Sequence, residues 1–270
     1  MKTGIDVSYA QGNINWGHVK ADFAIIRAGY GREVSQKDSQ FENNYTGCKS
    51  NKIPVGCYWY SYALTVEDAK KEAAACLSVI KGKTFEYPIY FDVEESAQAK
   101  LPKTQMTAIV KAFCDELEKA GYWVGIYSYA SFLNDHIDTA TKKRYAVWVA
   151  HTGVSAPNYN GSYEMWQYSH DSKVNGVSGN VDMNKCYVDY PAEIKKAGLN
   201  GFKASTNKVS DSKVNTVAKK QIIHTVKSGE NLTIIANKYK TSIDKIVRDN
   251  KKKYPKITRD YIQTGWKLKV

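Results

Sequence analysis

The stretch Tyr87-Pro88-Ile89-Tyr90-Phe91-Asp92-Val93-Glu94-Glu95 decides the fold of this chain. Its aromatic and β-branched residues predict a buried strand that ends in three carboxylates. Because side chains alternate along an extended chain, Asp92 and Glu94 are expected on one face and Glu95 on the other. Two carboxylates on one face suit acid/base chemistry on a glycosidic bond or a divalent cation, and solvated loop acids would show the same spacing.

Predicted strands and helices alternate on both sides of this stretch. Strands are predicted at 3–7, 22–28, 54–62, 87–91, 122–127, 145–150, 163–168 and 181–183. Helices are predicted at 38–51, 65–80 and 104–120, so helices are missing from the later half. Apolar strands that alternate with helices favour a parallel α/β sheet covered on both faces. At this length the pattern predicts a small (β/α) barrel of the TIM type.

Four acidic residues fall at the ends of predicted strands, namely Asp6, Asp92, Glu94 and Asp182. Catalytic groups in such barrels gather at the carboxyl ends of the strands, so we expect these four to form one cluster. Crowded carboxyl groups raise one another's pKa, so one can stay protonated near neutral pH while its neighbours ionise. The four are therefore the predicted catalytic residues.

The charge of the chain is divided unevenly along its length. Residues 201–270 hold 17 of the 39 lysines and arginines but only 5 of the 27 acidic residues, which leaves 22 of each in residues 1–200. A basic segment beside a neutral one indicates a polyanionic target, such as nucleic acid, a membrane or a cell wall, or simply a lysine-rich solvated surface.

The composition of the chain predicts two domains joined by a linker. Residues 198–221 are rich in Gly, Ser, Asn and Lys without hydrophobic periodicity, as linkers are. Residues 222–270 then show a strand, two helices that follow Ser228-Gly229 and Ser242, and a final strand. We therefore predict a barrel domain over 1–197 and a small α+β (βααβ) domain over 222–270.

No metal, cofactor or membrane span is predicted. The five cysteines lie in the neutral part in no Cys-x-x-Cys pair, which favours buried free thiols, and the five histidines show no metal-ligand spacing. No apolar run approaches the length of a spanning helix. Met1-Lys2-Thr3 leads directly into a strand, so we expect synthesis in a cytoplasm without a signal peptide and delivery by another route.

Eight short motifs occur in a fixed order and spacing within the first 200 residues. They are Gly4-Ile5-Asp6-Val7-Ser8, Phe23-Ala24-Ile25-Ile26-Arg27-Ala28, Val55-Gly56-x-Tyr58-x-Tyr60, Pro88-x-x-x-Asp92-x-Glu94, Gly125-x-Tyr127, Val147-Trp148-Val149-Ala150, Trp166-Gln167-Tyr168-Ser169 and Val181-Asp182-x-Asn184. In these motifs the chain resembles glycoside hydrolase family 25, the Chalaropsis-type lysozymes found among phage endolysins and bacterial autolysins. The resemblance implies an irregular (β/α) barrel with N-acetylmuramidase activity, in which the four acids form the acidic cluster and Glu94 is the general acid.

The tail resembles a LysM module. The similarity lies in His224–Leu232, in Ile235-Ala236-x-x-Tyr239 and in Ile262-x-x-Gly265-x-x-Leu268-x-Val270. It implies a βααβ fold that binds glycans containing N-acetylglucosamine. The stretch Lys251–Tyr261 is longer and more basic than is usual for such modules, and Thr264 stands where Pro is common.

Several aromatic and polar residues on the barrel strands are predicted to contact sugar rings. Aromatic faces stack on sugars while polar neighbours hydrogen-bond the hydroxyl groups, although each aromatic residue has core packing as its alternative. Arg27 is expected either to hold a carboxylate of the cluster or to form a structural salt bridge. The predicted substrate-binding residues are Arg27, Tyr58, Tyr60, Tyr62, Tyr127, Trp148, Trp166 and Gln167.

Together these observations favour a modular peptidoglycan hydrolase. It would cut the β-1,4 bond between N-acetylmuramic acid and N-acetylglucosamine and act on the bacterial wall after release, most simply as a phage endolysin. A bacterial autolysin, a chitinase-like hydrolase and a non-catalytic wall-binding protein remain open. Nucleic acid and membrane partners are not expected.

Overall fold

Eight strands close into a barrel in the computed structural model, which describes residues 1–203, 222–227, 230, 232–239, 241–258 and 261–270. The strands are β1 (Lys2–Val7), β2 (Phe23–Tyr30), β3 (Val55–Tyr60), β4 (Ile89–Asp92), β5 (Val124–Tyr129), β6 (Ala146–Ala150), β7 (Met165–Ser172) and β8 (Val181–Cys186). Each pairs with the next, and β8 closes the barrel on β1. The predicted barrel is confirmed.

Helices cover the outside of the barrel mainly in its first half. They are α1 (Phe41–Ser50), α2 (Val66–Ile80), α3 (Lys103–Lys119), α4 (Ala130–His136), α5 (Thr139–Arg144) and α6 (Tyr190–Ala197), with short 3₁₀ helices at Tyr9–Gln11, Val34–Gln36 and Gln98–Lys100. The two long helices α2 and α3 bury stripes of apolar residues against the sheet. No helix lies between β6 and β7 or between β7 and β8, as the sequence indicated, whereas the short helices α4, α5 and α6 were not predicted.

The last strand differs from the prediction because it runs antiparallel to both neighbours, β1 and β7. The other pairs of adjacent strands in the barrel are parallel. An antiparallel strand brings its amino end to the rim where the parallel strands have their carboxyl ends. Asp182, near the start of β8, therefore pairs directly with Asp6, near the end of β1.

The barrel interior is filled by large rings beside glycines. A Cβ at Gly4 would lie 2.5 Å from the ring of Phe23, and one at Gly125 would lie 2.4 Å from the ring of Tyr90. Both rings are fully buried inside the barrel. These glycines leave room for aromatic side chains below the acids, so the barrel is a packed core with its opening at one rim.

The amino ends of the strands are joined by Asn200, which is buried and has a φ of 55°. Its side-chain amide donates to the carbonyl oxygens of Phe85 and Tyr87 and accepts from the backbone N–H of Trp123. Residues 198–203, predicted as the start of the linker, thus belong to the barrel. The remainder of the predicted linker, 204–221, lies outside the described residues.

The chain divides into two units, residues 1–207 and 208–270. In the second unit β9 (Ile223–Thr225) pairs antiparallel with β10 (Lys267–Lys269), and the helices α7 (Leu232–Tyr239) and α8 (Ile243–Asn250) lie between them in sequence. Its own apolar core contains Val226, Leu232, Ile235, Ile246 and Leu268. This βααβ order confirms the predicted small α+β fold, whereas the turn at Ser228-Gly229 lies outside the described residues.

The five cysteines are free and buried, as predicted. Each thiol lies in the apolar layers of the first unit. Among the described helices, none combines the length and the apolar character that a membrane span requires.

Candidate active site

The four predicted acids meet at one rim of the barrel. Asp6 is the penultimate residue of β1, Asp92 ends β4, Glu94 follows β4 by two residues, and Asp182 is the second residue of β8. All four line one deep pocket of about 190 Å³. The antiparallel direction of β8 is what brings the fourth acid to this rim.

Asp6 and Asp182 are hydrogen-bonded neighbours, and the pKa of each is raised. Oδ2 of Asp6 accepts hydrogen bonds from Nδ2 of Asn184 at 2.7 Å and from Nε2 of Gln167 at 2.9 Å. Burial, and then the charge of Asp182, raise the pKa of Asp6 well above its ordinary value. Burial raises the pKa of Asp182 to about 6, while its hydrogen bond with Asp6 acts in the opposite direction. Two adjacent carboxyl groups cannot both ionise without a large cost.

Asp92 is the least satisfied carboxyl group of the cluster. It is 3% exposed, and its Oδ1 has no hydrogen-bond partner in the part of the chain that the structure describes. Burial raises its pKa well above the ordinary value, the charges of Glu94 and Asp6 add to this, and the charge of Arg27 opposes it. A buried oxygen without a protein donor is costly, so Asp92 stabilises the fold less than a fully hydrogen-bonded carboxylate would.

Glu94 lies where two cavities meet. It lines the deep pocket and also a long cleft of about 860 Å³ on the β5–β7 side, which contains Tyr129, Asn134, His151 and Asn158 as well. Burial raises the pKa of Glu94, as do the charges of Asp6 and Glu95, whereas the hydrogen bond with Tyr129 lowers it. A half-buried carboxyl group with a raised pKa at the edge of a cleft has the properties of a general acid.

Residues 5–177 match the sequence profile of Glycosyl hydrolases family 25, and residues 224–270 match that of the LysM domain. The first match covers more than half of the chain. The chain belongs to glycosyl hydrolase family 25.

Two curated relatives are similar to this family 25 chain. It is 31% identical to the autolytic lysozyme of Clostridium acetobutylicum over 185 residues, which is 67% of this chain and 55% of that protein. It is 34% identical to lysozyme M1 of Streptomyces globisporus over 200 residues, which is 67% of this chain and 66% of that protein. This chain thus spans about half of the length of the first relative and about two thirds of the second.

A solved structure is similar to the family 25 barrel of this chain. The bacterial lysozyme from Streptomyces coelicolor superposes with a TM-score of 0.61 at 29% identity, covering 75% of this chain and 98% of that chain. The superposition therefore extends over nearly the whole of that lysozyme.

The walls of the deep pocket in this family 25 barrel hold six of the predicted substrate-binding residues, namely Arg27, Tyr58, Tyr60, Tyr127, Trp148 and Gln167. Gln167 accepts a hydrogen bond from the Tyr127 hydroxyl at 2.8 Å while its amide donates to Asp6. Trp148 is fully buried and donates from Nε1 to Oδ1 of Asn184 at 2.8 Å. The floor is thus a connected network of hydrogen bonds that fixes Asp6.

Arg27, Tyr60 and Tyr62 lie on the opposite side of the cluster. Arg27 pairs through Nε with Oδ2 of Asp38 at 2.7 Å, so its ion pair is structural, although its charge still lowers the pKa of Asp92. The Tyr60 hydroxyl donates to Oε1 of Glu95 at 2.7 Å, and Tyr62 is about half exposed. The three line a cavity of about 360 Å³.

Trp166 is placed away from these cavities. It is 5% exposed, packs in the apolar layer outside the barrel and donates from Nε1 to the carbonyl oxygen of His151 at 2.9 Å. The reason is alternation along β7, where Gln167 faces the acids and its neighbour must face outward. For this residue the alternative of core packing describes its position better than sugar contact.

The sequence reasoning missed three residues of the site: Asn184, Tyr129 and Asp38. Asn184 stands two residues after Asp182 in the motif Val181-Asp182-x-Asn184, so the strand period was the available signal. Tyr129 likewise follows Tyr127 by two residues. Asp38 lies in a loop, and no sequence pattern pointed to it. No cluster that could hold a metal ion is found among the described residues.

Proposed function

We propose that this protein is a peptidoglycan hydrolase with N-acetylmuramidase activity, cutting the β-1,4 bond between N-acetylmuramic acid and N-acetylglucosamine. The observation that carries the proposal is the position of Glu94, half-buried with a raised pKa at the junction of the deep pocket and the long cleft. The names of the relatives, autolytic lysozyme and lysozyme M1, support the same activity for this chain.

In the proposed reaction, Glu94 gives its proton to the glycosidic oxygen. The bond between that oxygen and the anomeric carbon then breaks, the electron pair stays with the oxygen, and positive charge develops on the sugar in the deep pocket. The nearby carboxyl groups Asp92 and Asp182 supply the counter-charge or orient the 2-acetamido group. Water finally adds at the anomeric carbon, and its proton returns to a carboxylate of the cluster.

Asp6 has a supporting role in this scheme. Its Oδ2 is occupied by the amide donors of Asn184 and Gln167, and its carboxyl group is hydrogen-bonded to Asp182. Asp6 therefore holds Asp182 in position and sets its charge. Asp6 thus sets the pKa of the neighbouring carboxyl groups, while Glu94 transfers the proton.

The second unit is proposed to hold the enzyme on its insoluble substrate. A LysM module that binds glycans containing N-acetylglucosamine raises the local concentration of substrate without any change in the catalytic pocket. We further propose that the enzyme acts on the bacterial wall after release as a phage lysin, because a catalytic barrel joined to a wall-binding module suits an enzyme that must degrade an intact wall.

Digestion of purified peptidoglycan tests the catalytic proposal. We expect new reducing ends of N-acetylmuramic acid from the wild-type protein and a loss of about 10³-fold in kcat for Glu94→Gln, since general acids contribute 10²–10⁴-fold. Glu116→Gln is the control, because that glutamate is exposed on α3 and pairs with Lys119. New N-acetylglucosamine ends would indicate a glucosaminidase, cleavage of chitin alone a chitinase-like enzyme, and retention on the wall without new ends a binding protein.

Lysis assays test the biological role. A phage lysin is expected to lyse cells from within when a membrane pore is co-expressed, whereas an autolysin is expected to be active in growing cells without one. Binding of the second unit to DNA with steep salt dependence, instead of binding to glycan, would contradict the proposed anchoring role.

A further inference from the structure

A cavity on the β1–β3 side of the acid cluster has no role in the scheme above. Its volume is about 360 Å³, and its walls come from the ends of β2 and β3 and from the segments that follow β1, β2 and β3. Arg27 and Tyr60 line both this cavity and the deep pocket, so the two spaces adjoin. We call it the tyrosine–arginine pocket, defined by Tyr9, Arg27, Tyr30, Lys37, Tyr60 and Tyr62.

The guanidinium group of Arg27 is fixed in this pocket by three contacts. Its Nε donates to Asp38 at 2.7 Å, and its Cζ lies 4.6 Å from the centre of the Tyr9 ring and 5.7 Å from that of Tyr30. Among the described residues no hydrogen-bond partner is found for either of its terminal Nη atoms. A guanidinium held by Nε and by flanking rings leaves its outer donors in a fixed orientation.

The pocket retains positive charge even though Asp38 is close. The carboxylate of Asp38 is buried and also accepts from the backbone N–H groups of Tyr9 and Gln40, at 3.0 and 2.8 Å. Lys37 is exposed at the edge and reaches Glu42 only at 3.4 Å. The charged side chains that line the pocket are Arg27, Lys37 and Asp38, a net of one positive charge. Glu42 and Glu95 lie just outside the lining, against Lys37 and Tyr60.

We propose that the tyrosine–arginine pocket binds a carboxylate on the substituent of the muramyl sugar whose ring lies in the adjoining deep pocket. The planar donors of Arg27 match the two oxygens of a carboxylate, and Lys37 adds a second cation. The aromatic walls, with Tyr60 and Tyr62 at 5.2 Å and Tyr30 and Tyr62 at 6.2 Å between ring centres, pack against the apolar part of the substituent.

This inference rests on the proposed function, and two chemical sources of the carboxylate are possible. One is the lactyl group of the sugar itself, which is free when no peptide is attached. The other is the peptide stem, which blocks the lactyl carboxyl group and carries carboxylates of its own. Both sources place an anion beside Arg27, and an amide in its place would remove the charge without changing the shape.

Three preparations of soluble glycan strands separate these cases: strands with peptide stems, strands stripped of stems by an amidase, and stripped strands whose carboxyl groups are converted to amides. We expect the wild-type kcat/KM to be about tenfold higher on at least one carboxylate-bearing preparation than on the amide preparation. The preparation that shows the preference identifies the source.

Variants of Lys37 test whether this pocket causes the preference. The ratio of kcat/KM on carboxylate strands to kcat/KM on amide strands is expected to fall about threefold in Lys37→Gln. In Lys37→Glu the preference for carboxylate strands is expected to be lost. Lys119→Gln is the matched control, because Lys119 is also an exposed partner of a glutamate but ends α3 at the opposite end of the barrel. Its ratio is expected to equal that of the wild type.

Equal rates on the carboxylate and amide strands, or a wild-type ratio in Lys37→Glu, would overturn the inference. If none of the three preparations is cut, the proposed muramidase function is wrong. The pocket is then tested by binding, through the ratio of the dissociation constants for the carboxylate and the amide strands. Tighter binding of carboxylate strands that Lys37→Glu removes would then support it, and equal binding would overturn it.

Discussion

Two buried aspartates near Arg27, Asp38 and Asp92, are treated in opposite ways by the fold. Asp38 accepts three hydrogen bonds, from Arg27 and from two backbone N–H groups. Asp92 has an oxygen without any partner among the described residues and a pKa raised by burial and by neighbouring acids. The same side chain therefore serves structure at one position and chemistry at the other. The partners around a carboxyl group, more than its burial, distinguish the two roles.

The largest effect is expected from removing the satisfied aspartate. Asp38→Ala leaves the half-buried Arg27 without its ion pair and two backbone donors without acceptors, so the free energy of unfolding should fall by about 3 kcal/mol. Thermal and urea unfolding measure this. Glu116→Ala, which breaks an exposed pair with Lys119, is the control and should change stability by less than about 1 kcal/mol. Equal losses in the two variants would contradict the structural role of Asp38.

Asp92→Asn is expected to raise the free energy of unfolding, by less than Asp38→Ala lowers it. The folded protein binds the proton of Asp92 more tightly than the unfolded chain does, so the free energy of unfolding falls as the pH rises from about 4 through the raised pKa. The asparagine cannot ionise, so the variant should be more stable than the wild type by about 1 kcal/mol at pH 7 and similar to it at pH 4.

Melting temperatures at the two pH values measure this difference. The activity of Asp92→Asn should be strongly reduced at pH 7, because the counter-charge is lost. A variant less stable than the wild type at pH 7 would show that Asp92 is a structural carboxylate like Asp38.

The smallest effect, on KM, is expected from substitution of Trp166, which lies outside the cleft. Trp166→Phe should leave KM for peptidoglycan within about twofold, because the ring faces the outer apolar layer. Tyr60→Phe, in the tyrosine–arginine pocket, is the comparison and should raise KM several-fold, since its hydroxyl holds Glu95. A larger rise in KM for Trp166→Phe than for Tyr60→Phe would reverse this assignment.

The sequence predicted the four acids because their positions depend on one rule, that catalytic groups stand at the ends of barrel strands. It could not predict that β8 runs antiparallel, since the pattern of Val181-Asp182-Met183 is the same in either direction. The face of Trp166 was equally ambiguous, because both faces of β7 are buried near it. The role of Asp38 could not be predicted from the sequence, because its three partners are brought together only by the folded loop after β2.

Barrel closure by β8 also limits when the enzyme can become active during its synthesis. Asp6 is translated before its partners Asp182 and Asn184, which follow 176 and 178 residues later. Joining strands so distant in sequence carries a large entropy of loop closure, which slows folding. A ribosome-bound or truncated chain that lacks β8 has three of the four acids and an open barrel. Competence for chemistry should therefore arise only when the last strand is added, late in biogenesis.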